Sequence, residues 1–379
     1  MLVGVDAVAF LRVSAGVSRY LREVLDRIMV LSPEDEFVLY SPKPIAAPLS
    51  HGRWHLRVPD CKRIRFPGHW LRDTLPRMVA EDGVDVFWGQ NTTVPLRLVR
   101  PCRRVLTAHD VTGMVCPRTM LFRHRLTWCL NFRSAVRAAD VVVADSLATG
   151  RLLCKLTPLP PKRIVVVYPG NSSALISLPS DVARRVVTER FSLVGDFMLA
   201  VGTLEPRKDY PTLLRALRAT RGAPLLVIVG AMGWNCRGIL RAVREAEADG
   251  LVRYLGRASD EELSALYSAA LVTIYPSFYE GFGLPVLEAM ACGCPVLCSW
   301  SSSLPEVGGR TASYFRPRDG DDLARRLTGL LSDERRLAEM RAMGRVQAAR
   351  FSFDRTAEQM LAVLRGDELV MATPSTQLP

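Results

Sequence analysis

The residues of this sequence best suited to chemistry are two glutamates in one short stretch, Glu280 and Glu288. An apolar, β-branched run, Leu271–Tyr275, precedes them and predicts a buried parallel strand. Pro285 suits the first turn of a helix, where its missing N–H costs nothing. We therefore expect Glu280 on a loop after a strand and Glu288 early in the next helix, at the carboxyl edge of a sheet. A helix N-terminus there attracts a diphosphate and carboxylates bind hydroxyls, so the stretch predicts a nucleotide-sugar site.

A second motif supplies cations. Residues 202–214 read GTLEPRKDYPTLL and follow the apolar run Phe197–Val201, a predicted strand. An amphipathic helix is expected next, so Arg207 and Lys208 lie on the connection from strand to helix, at the same sheet edge as Glu280. Two adjacent cations there neutralise a diphosphate, Arg by forked hydrogen bonds and Lys as a point charge.

Each motif also has a plainer interpretation. The glutamates fit an ordinary strand–loop–helix corner with solvated carboxylates, and Arg207 with Lys208 fits a solvated basic turn. Asp209 suits a helix N-cap in either case. The glycines, the proline and the placement of both motifs at one expected sheet edge favour a binding site.

The two motifs resemble those of the retaining family-4 glycosyltransferases, which have the two-domain GT-B fold. Other stretches extend the resemblance over about residues 1–365. They are GVSRY at 16–20, HDVT at 109–112, VYPG at 167–170, SDEEL at 259–263 with LY at 266–267, and LPEVGG at 304–309. Residues 85–88, 109–110 and 229–234 look most like the mannosyltransferase branch.

The resemblance implies a role for each site residue. Arg207 and Lys208, with the dipole of the helix after Leu284, would take up charge on the leaving diphosphate. Glu288 would bind the ribose hydroxyls, and Glu280 would orient the donor sugar. The other residues that the resemblance brings to the donor are His109, Gly16, Gly202, Gly281, Phe282, Gly283 and Leu284.

The family's reaction is thought to proceed on one face of the sugar, with the leaving phosphate accepting the acceptor proton. No carboxylate of this sequence is an evident nucleophile for double displacement. His109 is therefore expected to face the donor sugar without acting as a general base; a structural or capping histidine is its alternative. The cations replace a metal ion, so neither a metal nor a further cofactor is expected.

The resemblance implies a retaining, metal-independent hexosyltransferase of polysaccharide biosynthesis. The expected donor is GDP-mannose, and the expected acceptor is a glycan or a polyisoprenoid-diphosphate-linked glycan. A UDP-sugar-dependent transferase, or a sugar-nucleotide isomerase or phosphorylase on the same fold, remains an alternative. A non-catalytic nucleotide-sugar-binding protein is a further one, which the complete set of site residues disfavours.

Strands and helices alternate along the chain, which predicts an α/β protein. The resemblance implies two doubly wound, Rossmann-like domains facing a central cleft. The expected divisions are an N-terminal acceptor domain at 1–175, a linker at 176–190, a C-terminal nucleotide-sugar domain at 191–350, a helix returning to the first domain at 351–365, and a flexible tail at 366–379. The first sheet is expected to contain six strands and the second five.

Composition fits this organisation. The chain has 379 residues and a formal net charge of +12, enough for two domains of ordinary size. It shows no signal peptide and no apolar run of transmembrane length, and nine scattered cysteines favour a reducing compartment. We expect a cytoplasmic protein.

Basic residues are dense between Lys62 and Arg137, with Trp70, Leu71, Phe122 and Trp128 among them. Nothing resembles a nucleic-acid-binding module, so no nucleic-acid partner is expected. Peripheral contact with the anionic inner face of the cytoplasmic membrane explains the charge. An Arg-biased composition with solvated faces is the alternative.

Two other groups invite a metal-site interpretation. Cys292, Cys294 and Cys298 lack the spacing of zinc ligands and have no nearby histidine, so packing is the better interpretation. Asp319 and Asp321 form a D-x-D directly before a helix, where capping is the better interpretation.

Overall fold

The computed structural model describes residues 1–12, 16–46, 49–50, 53–59, 70–97, 101–120 and 122–367. The chain divides into two compact units. The first unit comprises Met1–Val115, Phe122–Gly170 and, within the described residues, the stretch from Ser352. The second comprises Cys116–Leu121 and Asn171–Phe351. Each unit is built on one sheet.

Within the described residues, the first sheet contains seven parallel strands in the order β3-β2-β1-β4-β5-β6-β7. Their bounds are β1 Leu2–Asp6, β2 Glu36–Tyr40, β3 Trp54–Arg57, β4 Val86–Gln90, β5 Arg103–Ala108, β6 Val141–Ala144 and β7 Ile164–Val166. The order reverses between β1 and β4, which makes the sheet doubly wound. The α-helices that the structure describes here are α1 Gly16–Leu31, α2 Leu75–Asp82, α3 Thr112–Val115, α4 Phe122–Ala138 and α5 Leu147–Leu156.

The second sheet contains six parallel strands in the order β10-β9-β8-β11-β12-β13, and its order reverses between β8 and β11. The strands are β8 Phe197–Val201, β9 Leu225–Val229, β10 Val252–Gly256, β11 Thr273–Tyr275, β12 Val296–Ser299 and β13 Ser313–Phe315. The α-helices are α6 Ser180–Phe191, α7 Tyr210–Ala219, α8 Arg237–Ala248, α9 Asp260–Ala269, α10 Leu284–Ala291, α11 Leu304–Gly308, α12 Gly320–Leu331 and α13 Glu334–Ala348.

The last helix, α14 (Phe353–Arg365), belongs to the first unit, as predicted. Its apolar side chains, including Phe353 and Met360, join the core formed by β1, β4 and α1. The ring of Phe353 packs edge-on against Tyr20 of α1, with 6.2 Å between centroids. The helix is therefore part of the first core although it follows the second unit in sequence.

Two predictions of organisation need correction. The expected linker 176–190 is mostly helical, because α6 spans Ser180–Phe191 and buries Ala183 and Val187 in the second unit. The edge strands β3 and β13 were not predicted. Both are short, with three half-buried residues and one exposed residue in β3 and one buried residue in β13, so neither has the continuous apolar run that marks a central strand.

Trp70 and Leu71, named above among the basic residues, are buried in a core with Tyr40 and Phe87. Trp128 is partly buried, and its ring stacks on Phe132 at 4.6 Å between centroids. They are therefore packing residues and not membrane-inserting ones. Lys62 and the side chain of Phe122 lie outside the described residues. Among the helices that the structure describes, none is long and apolar enough to span a bilayer.

Candidate functional site

The two predicted motifs flank the point where the strand order of the second sheet reverses. Arg207 and Lys208 lie in a 3-10 turn after β8, and Glu280 lies in the loop after β11. β8 and β11 are neighbouring parallel strands, so both loops leave the sheet at the same edge. The N–H of Phe278 donates to the Arg207 carbonyl at 3.0 Å and joins the loops through the backbone.

The Glu280 carboxylate accepts hydrogen bonds from both cations. Lys208 Nζ lies 2.6 Å from Oε1, and Arg207 donates through Nη1 to Oε2. The hydroxyls of Tyr275 and Ser277 also donate to Oε1, at 2.9 and 2.5 Å. The predicted phosphate-binding cations and the predicted sugar-binding carboxylate thus form one buried cluster.

Burial and charge act in opposite directions on the pKa of Glu280. Burial raises it, but the positive charges of Arg207 and Lys208, with hydrogen bonds from Lys208 and Ser277, outweigh burial and hold the pKa at about 2. Burial lowers the pKa of the Lys208 ammonium, and the charge of Glu280 limits that shift. Glu280 is therefore ionised at neutral pH and is a weak base.

A second carboxylate faces Arg207. Glu205 Oε1 lies 2.5 Å from Arg207 Nε, and Glu205 is 1% exposed. Arg207 and Lys208 therefore face two carboxylates, Glu205 and Glu280, and the charges of these four groups balance. The sequence contained Glu205 within the matched motif, but the spacing did not reveal that it pairs with the neighbouring arginine.

The loop that carries Glu280 has a fixed backbone. Gly283, directly before α10, has φ +111°, and a Cβ there would lie 2.6 Å from a methyl carbon of Leu304. Only glycine fits such a position without strain. The Ser303 hydroxyl donates to the carbonyls of Glu280 and Phe282 at 3.1 and 2.7 Å. The loop and the start of α10 are thereby held together.

Glu288 lies within α10 and is 6% exposed. The Tyr267 hydroxyl of α9 donates to its Oε2 at 3.3 Å. Glu288 and Glu280 thus have separate hydrogen-bond partners, which suits separate binding roles. The remaining predicted positions are Gly202 directly after β8, Gly281 within the loop, Leu284 as the first residue of α10 and Gly16 as the first residue of α1.

His109, in the first unit, follows β5 and is buried. Its Nδ1 lies 2.7 Å from Asp145 Oδ2, and its Nε2 lies 2.8 Å from Gln90 Oε1. Gln90 ends β4 and Asp145 directly follows β6, so three neighbouring strands bring these side chains to one edge. Asp145 and Gln90 were not predicted from the sequence. Their signal was the same as that of His109, a polar residue at the end of a strand.

The groups with a metal-site interpretation have structural partners. The Asp319 side chain accepts from the N–H of Asp322 at 2.8 Å and caps α12. Cys292, Cys294 and Cys298 are buried. Among the residues that the structure describes, no group of three or more His, Cys, Asp or Glu side chains could hold a metal ion.

Two sequence families match this chain. Residues 12–172 match glycosyltransferase family 4, and residues 191–347 match glycosyl transferases group 1. The chain is 32% identical over 291 residues to O-antigen chain mannosyltransferase B of Escherichia coli, covering 73% of each protein. This chain belongs to the family-4 glycosyltransferases. It is also 30% identical over 269 residues to the serotype-specific mannosyltransferase WbdA of Escherichia coli, covering 68% of this chain and 32% of that protein.

The solved structures show the fold of this glycosyltransferase. Sucrose-phosphate synthase from Thermosynechococcus elongatus superposes with a TM-score of 0.80 at 21% identity, covering 97% of this chain and 98% of that chain. The likeness confirms the predicted two-domain GT-B fold.

Proposed function

We propose that this glycosyltransferase transfers mannose from GDP-mannose to a glycan, or to a polyisoprenoid-diphosphate-linked glycan, with retention of the anomeric configuration and without a metal ion. The buried cluster of Arg207, Lys208 and Glu280 is the observation that carries the proposal. The mannosyltransferase relatives support the choice of sugar, because one of them is 32% identical over 291 residues.

The cluster accounts for donor binding by an exchange of partners. A diphosphate at the start of α10 meets the positive end of the helix and the hydrogen-bond donors of Arg207 and Lys208. The phosphate oxygens compete with Glu280 for these donors. Glu280 thereby gains acceptor capacity for hydroxyls of the donor sugar, which orients the sugar beside its leaving group. Glu288 holds the ribose hydroxyls.

The charges of the cluster also favour the one-face reaction. When the glycosidic bond to the phosphate breaks, negative charge grows on the diphosphate, and Arg207 and Lys208 stabilise it. Glu280 is unsuited to be a nucleophile or general base because two cations hold its pKa at about 2. The leaving phosphate is then the base that accepts the acceptor proton.

The first unit offers a surface for a membrane-bound acceptor. Leu126 and Leu130 of α4 are 51% and 58% exposed, and Arg125, Arg133 and Arg137 of the same helix are exposed as well. A helix with exposed leucines and arginines lies on an anionic leaflet through both apolar burial and charge.

The test is transfer to a defined alcohol. Purified protein is incubated with GDP-mannose and octyl α-mannoside, and the product is examined by NMR for a new α-mannosidic bond. UDP-glucose and GDP-glucose serve as comparison donors. An α-linked product from GDP-mannose supports the proposal. A β-linked product refutes retention, preferred use of a comparison donor refutes the assigned donor, and epimerised nucleotide-sugar or sugar phosphate identifies an isomerase or phosphorylase.

A further inference from the structure

Two polar side chains, Asp145 and Gln90, contact the His109 ring, and the mechanism proposed above assigns neither of them a role. Both ring nitrogens are occupied by protein groups, Asp145 at Nδ1 and Gln90 at Nε2. All three side chains are at least nine-tenths buried. The ring of Tyr20 packs edge-on against the imidazole, with 4.9 Å between centroids. The ring is therefore held in its plane by two hydrogen bonds and by packing.

We propose that Asp145 and Gln90 are positioning residues that fix the orientation of the His109 ring, and that Asp145 keeps a proton on its Nδ1. The motifs that identified His109 include neither residue. The proposal concerns the orientation of the His109 ring. Its test by enzyme activity rests on the proposed transferase function, whereas its test by NMR does not.

The hydrogen-bond geometry distinguishes the roles of the two partners. A carboxylate only accepts, so the proton of the ring belongs on Nδ1, facing Asp145. Nε2 faces Gln90 Oε1, another acceptor, and that contact requires a second proton on the ring. An imidazolium with Asp145 as its counterion satisfies both contacts.

Gln90 also suits the neutral ring. If its amide rotates by half a turn, its NH₂ group donates to an unprotonated Nε2. Gln90 Nε2 has no hydrogen-bond partner among the described residues, so no other contact opposes the rotation. Gln90 can therefore hold the imidazole in either charge state, while Asp145 anchors Nδ1 in both.

Other groups near the ring are accounted for. Asp110, the next residue, accepts from the N–H of Thr112 at 2.9 Å. Asp6 of β1 accepts from the backbone of Gln90 and from that of Val8. Tyr20 is the titratable group that faces the ring from α1, and burial raises the pKa of its hydroxyl. Asp145 is thus the carboxylate in direct contact with the imidazole.

Three substitutions separate the role of Asp145 at Nδ1 from the role of Gln90 at Nε2. Asp145→Asn removes the charge at Nδ1. Gln90→Met keeps the side-chain length but provides neither donor nor strong acceptor. Gln90→Glu keeps an acceptor and no amide donor, so it satisfies only the protonated ring. Gln347→Met is the matched control, because Gln347 is a buried glutamine of the second unit that donates to the Val307 carbonyl at 3.0 Å.

The first readout is ¹⁵N NMR of the His109 ring in the full-length protein, which requires neither donor nor acceptor. Wild type should show a strongly hydrogen-bonded Nδ1 proton, and Asp145→Asn should lose its downfield shift. Gln90→Met should change the Nε2 signal, and Gln347→Met should change neither. Unchanged ring signals in both Asp145→Asn and Gln90→Met would overturn the proposal, whatever reaction the protein catalyses.

The second readout is kcat for transfer from GDP-mannose between pH 6 and pH 8.5. Asp145→Asn and Gln90→Met should each lower kcat by about tenfold to a hundredfold, because a misplaced ring costs orientation, while GDP affinity stays unchanged. Gln90→Glu should retain most activity at pH 6 and lose it more steeply than wild type as the pH rises. Profiles parallel to wild type, with the same loss at every pH, would indicate a purely structural role and reject the assignment.

Discussion

The Lys208 ammonium lies 2.6 Å from the Glu280 carboxylate, and both side chains are less than a tenth exposed. The pair connects the loop after β8 to the loop after β11, on either side of the position where the strand order reverses. Under the proposed function, a diphosphate at this position contacts both loops and takes hydrogen bonds from this ion pair. Stability and donor binding should therefore depend on the same atoms.

Removing one partner of this pair should destabilise the protein strongly. Lys208→Met leaves Glu280 buried with less compensating charge and should lower the free energy of unfolding by about 3 kcal/mol. Glu280→Gln combined with Lys208→Met should recover part of that loss, because no unpaired carboxylate remains. Urea unfolding of the single and double variants measures both effects.

A surface pair provides the control for this experiment. Arg218 and Asp249 lie 3.2 Å apart with 42% and 54% of their side chains exposed. Arg218→Met should therefore change the free energy of unfolding by less than about 1 kcal/mol. An equally small effect of Lys208→Met would contradict the view that the buried pair stabilises the site.

The two glutamates should affect different steps. Glu288→Gln should weaken binding of free GDP and of GDP-mannose alike, by about 1–2 kcal/mol, because its expected partners are the ribose hydroxyls. Glu280→Gln should not weaken GDP binding, because it removes a carboxylate that competes with the phosphate for Arg207 and Lys208, and it should lower kcat, because the expected partner of Glu280 is the sugar. Calorimetry with GDP and initial rates with GDP-mannose check the two expectations. Equal loss of GDP affinity in both variants would disprove this division of roles.

Much of the site could be predicted because sequence patterns locate strand ends. The apolar runs Phe197–Val201 and Leu271–Tyr275 end close to the observed strand ends, and this placed Arg207, Lys208 and Glu280 at one sheet edge. The ion pairs among them were not predicted, because spacing along the chain gives no side-chain distances. The sequence predicts separate phosphate and sugar partners for the cations and for Glu280, whereas in the structure these side chains bind each other.

The remaining differences have equally local causes. Asp145 directly follows the correctly predicted strand Val141–Ala144, but no recognised motif includes it, so it was not considered. α6 was missed because Pro179, next to its start, and a weakly apolar pattern favoured a linker. Its helical conformation depends on packing within the second unit, where Ala183 and Val187 are buried. Tertiary contacts of this kind override local propensity.

Transfer should not require a divalent metal ion. In the proposed function, Arg207 and Lys208 supply the charge that a metal would otherwise provide to the leaving diphosphate. Initial rates with GDP-mannose should therefore be the same before and after dialysis against excess EDTA. Added Mg²⁺ or Mn²⁺ should not raise the rate of the dialysed protein. Loss of activity with chelator and its recovery with either ion would mean that a carboxylate group has been misassigned as structural.

Asp6 should make the first unit less stable as the pH rises. Burial raises its pKa from 3.8 to about 7, and hydrogen bonds from Val8, Thr93 and Gln90 offset only part of that effect. The folded state therefore binds a proton that the unfolded state has already released between about pH 4 and pH 7, so stability falls across this range. Asp6→Asn, which cannot ionise, should be more stable than wild type at pH 7.5 by an amount on the order of a few kcal/mol.

Thermal unfolding at pH 5, 6, 7 and 8 of wild type and Asp6→Asn measures this difference. The advantage of the variant should grow with pH and level off above about pH 7. Asp26→Asn is a suitable control, because the Asp26 carboxylate accepts an exposed hydrogen bond from the backbone N–H of Ser50 at 2.8 Å. A constant difference between wild type and Asp6→Asn at all four pH values would show that Asp6 does not titrate in this range.

The exposed face of α4 should bind anionic membranes. Arg133→Glu with Arg137→Glu reverses two charges, each worth roughly 1 kcal/mol near an anionic leaflet, and should abolish co-sedimentation with phosphatidylglycerol vesicles at 50 mM salt. Leu126→Ser with Leu130→Ser should weaken it by removing the apolar contact.

The matched control is Met343→Ser with Val346→Ser on α13, whose side chains are 54% and 63% exposed. Wild-type binding should fall as salt rises and be absent with neutral vesicles. Binding that is independent of salt, or equally reduced by the α13 substitutions, would exclude α4 as the docking surface and favour a soluble glycan as acceptor.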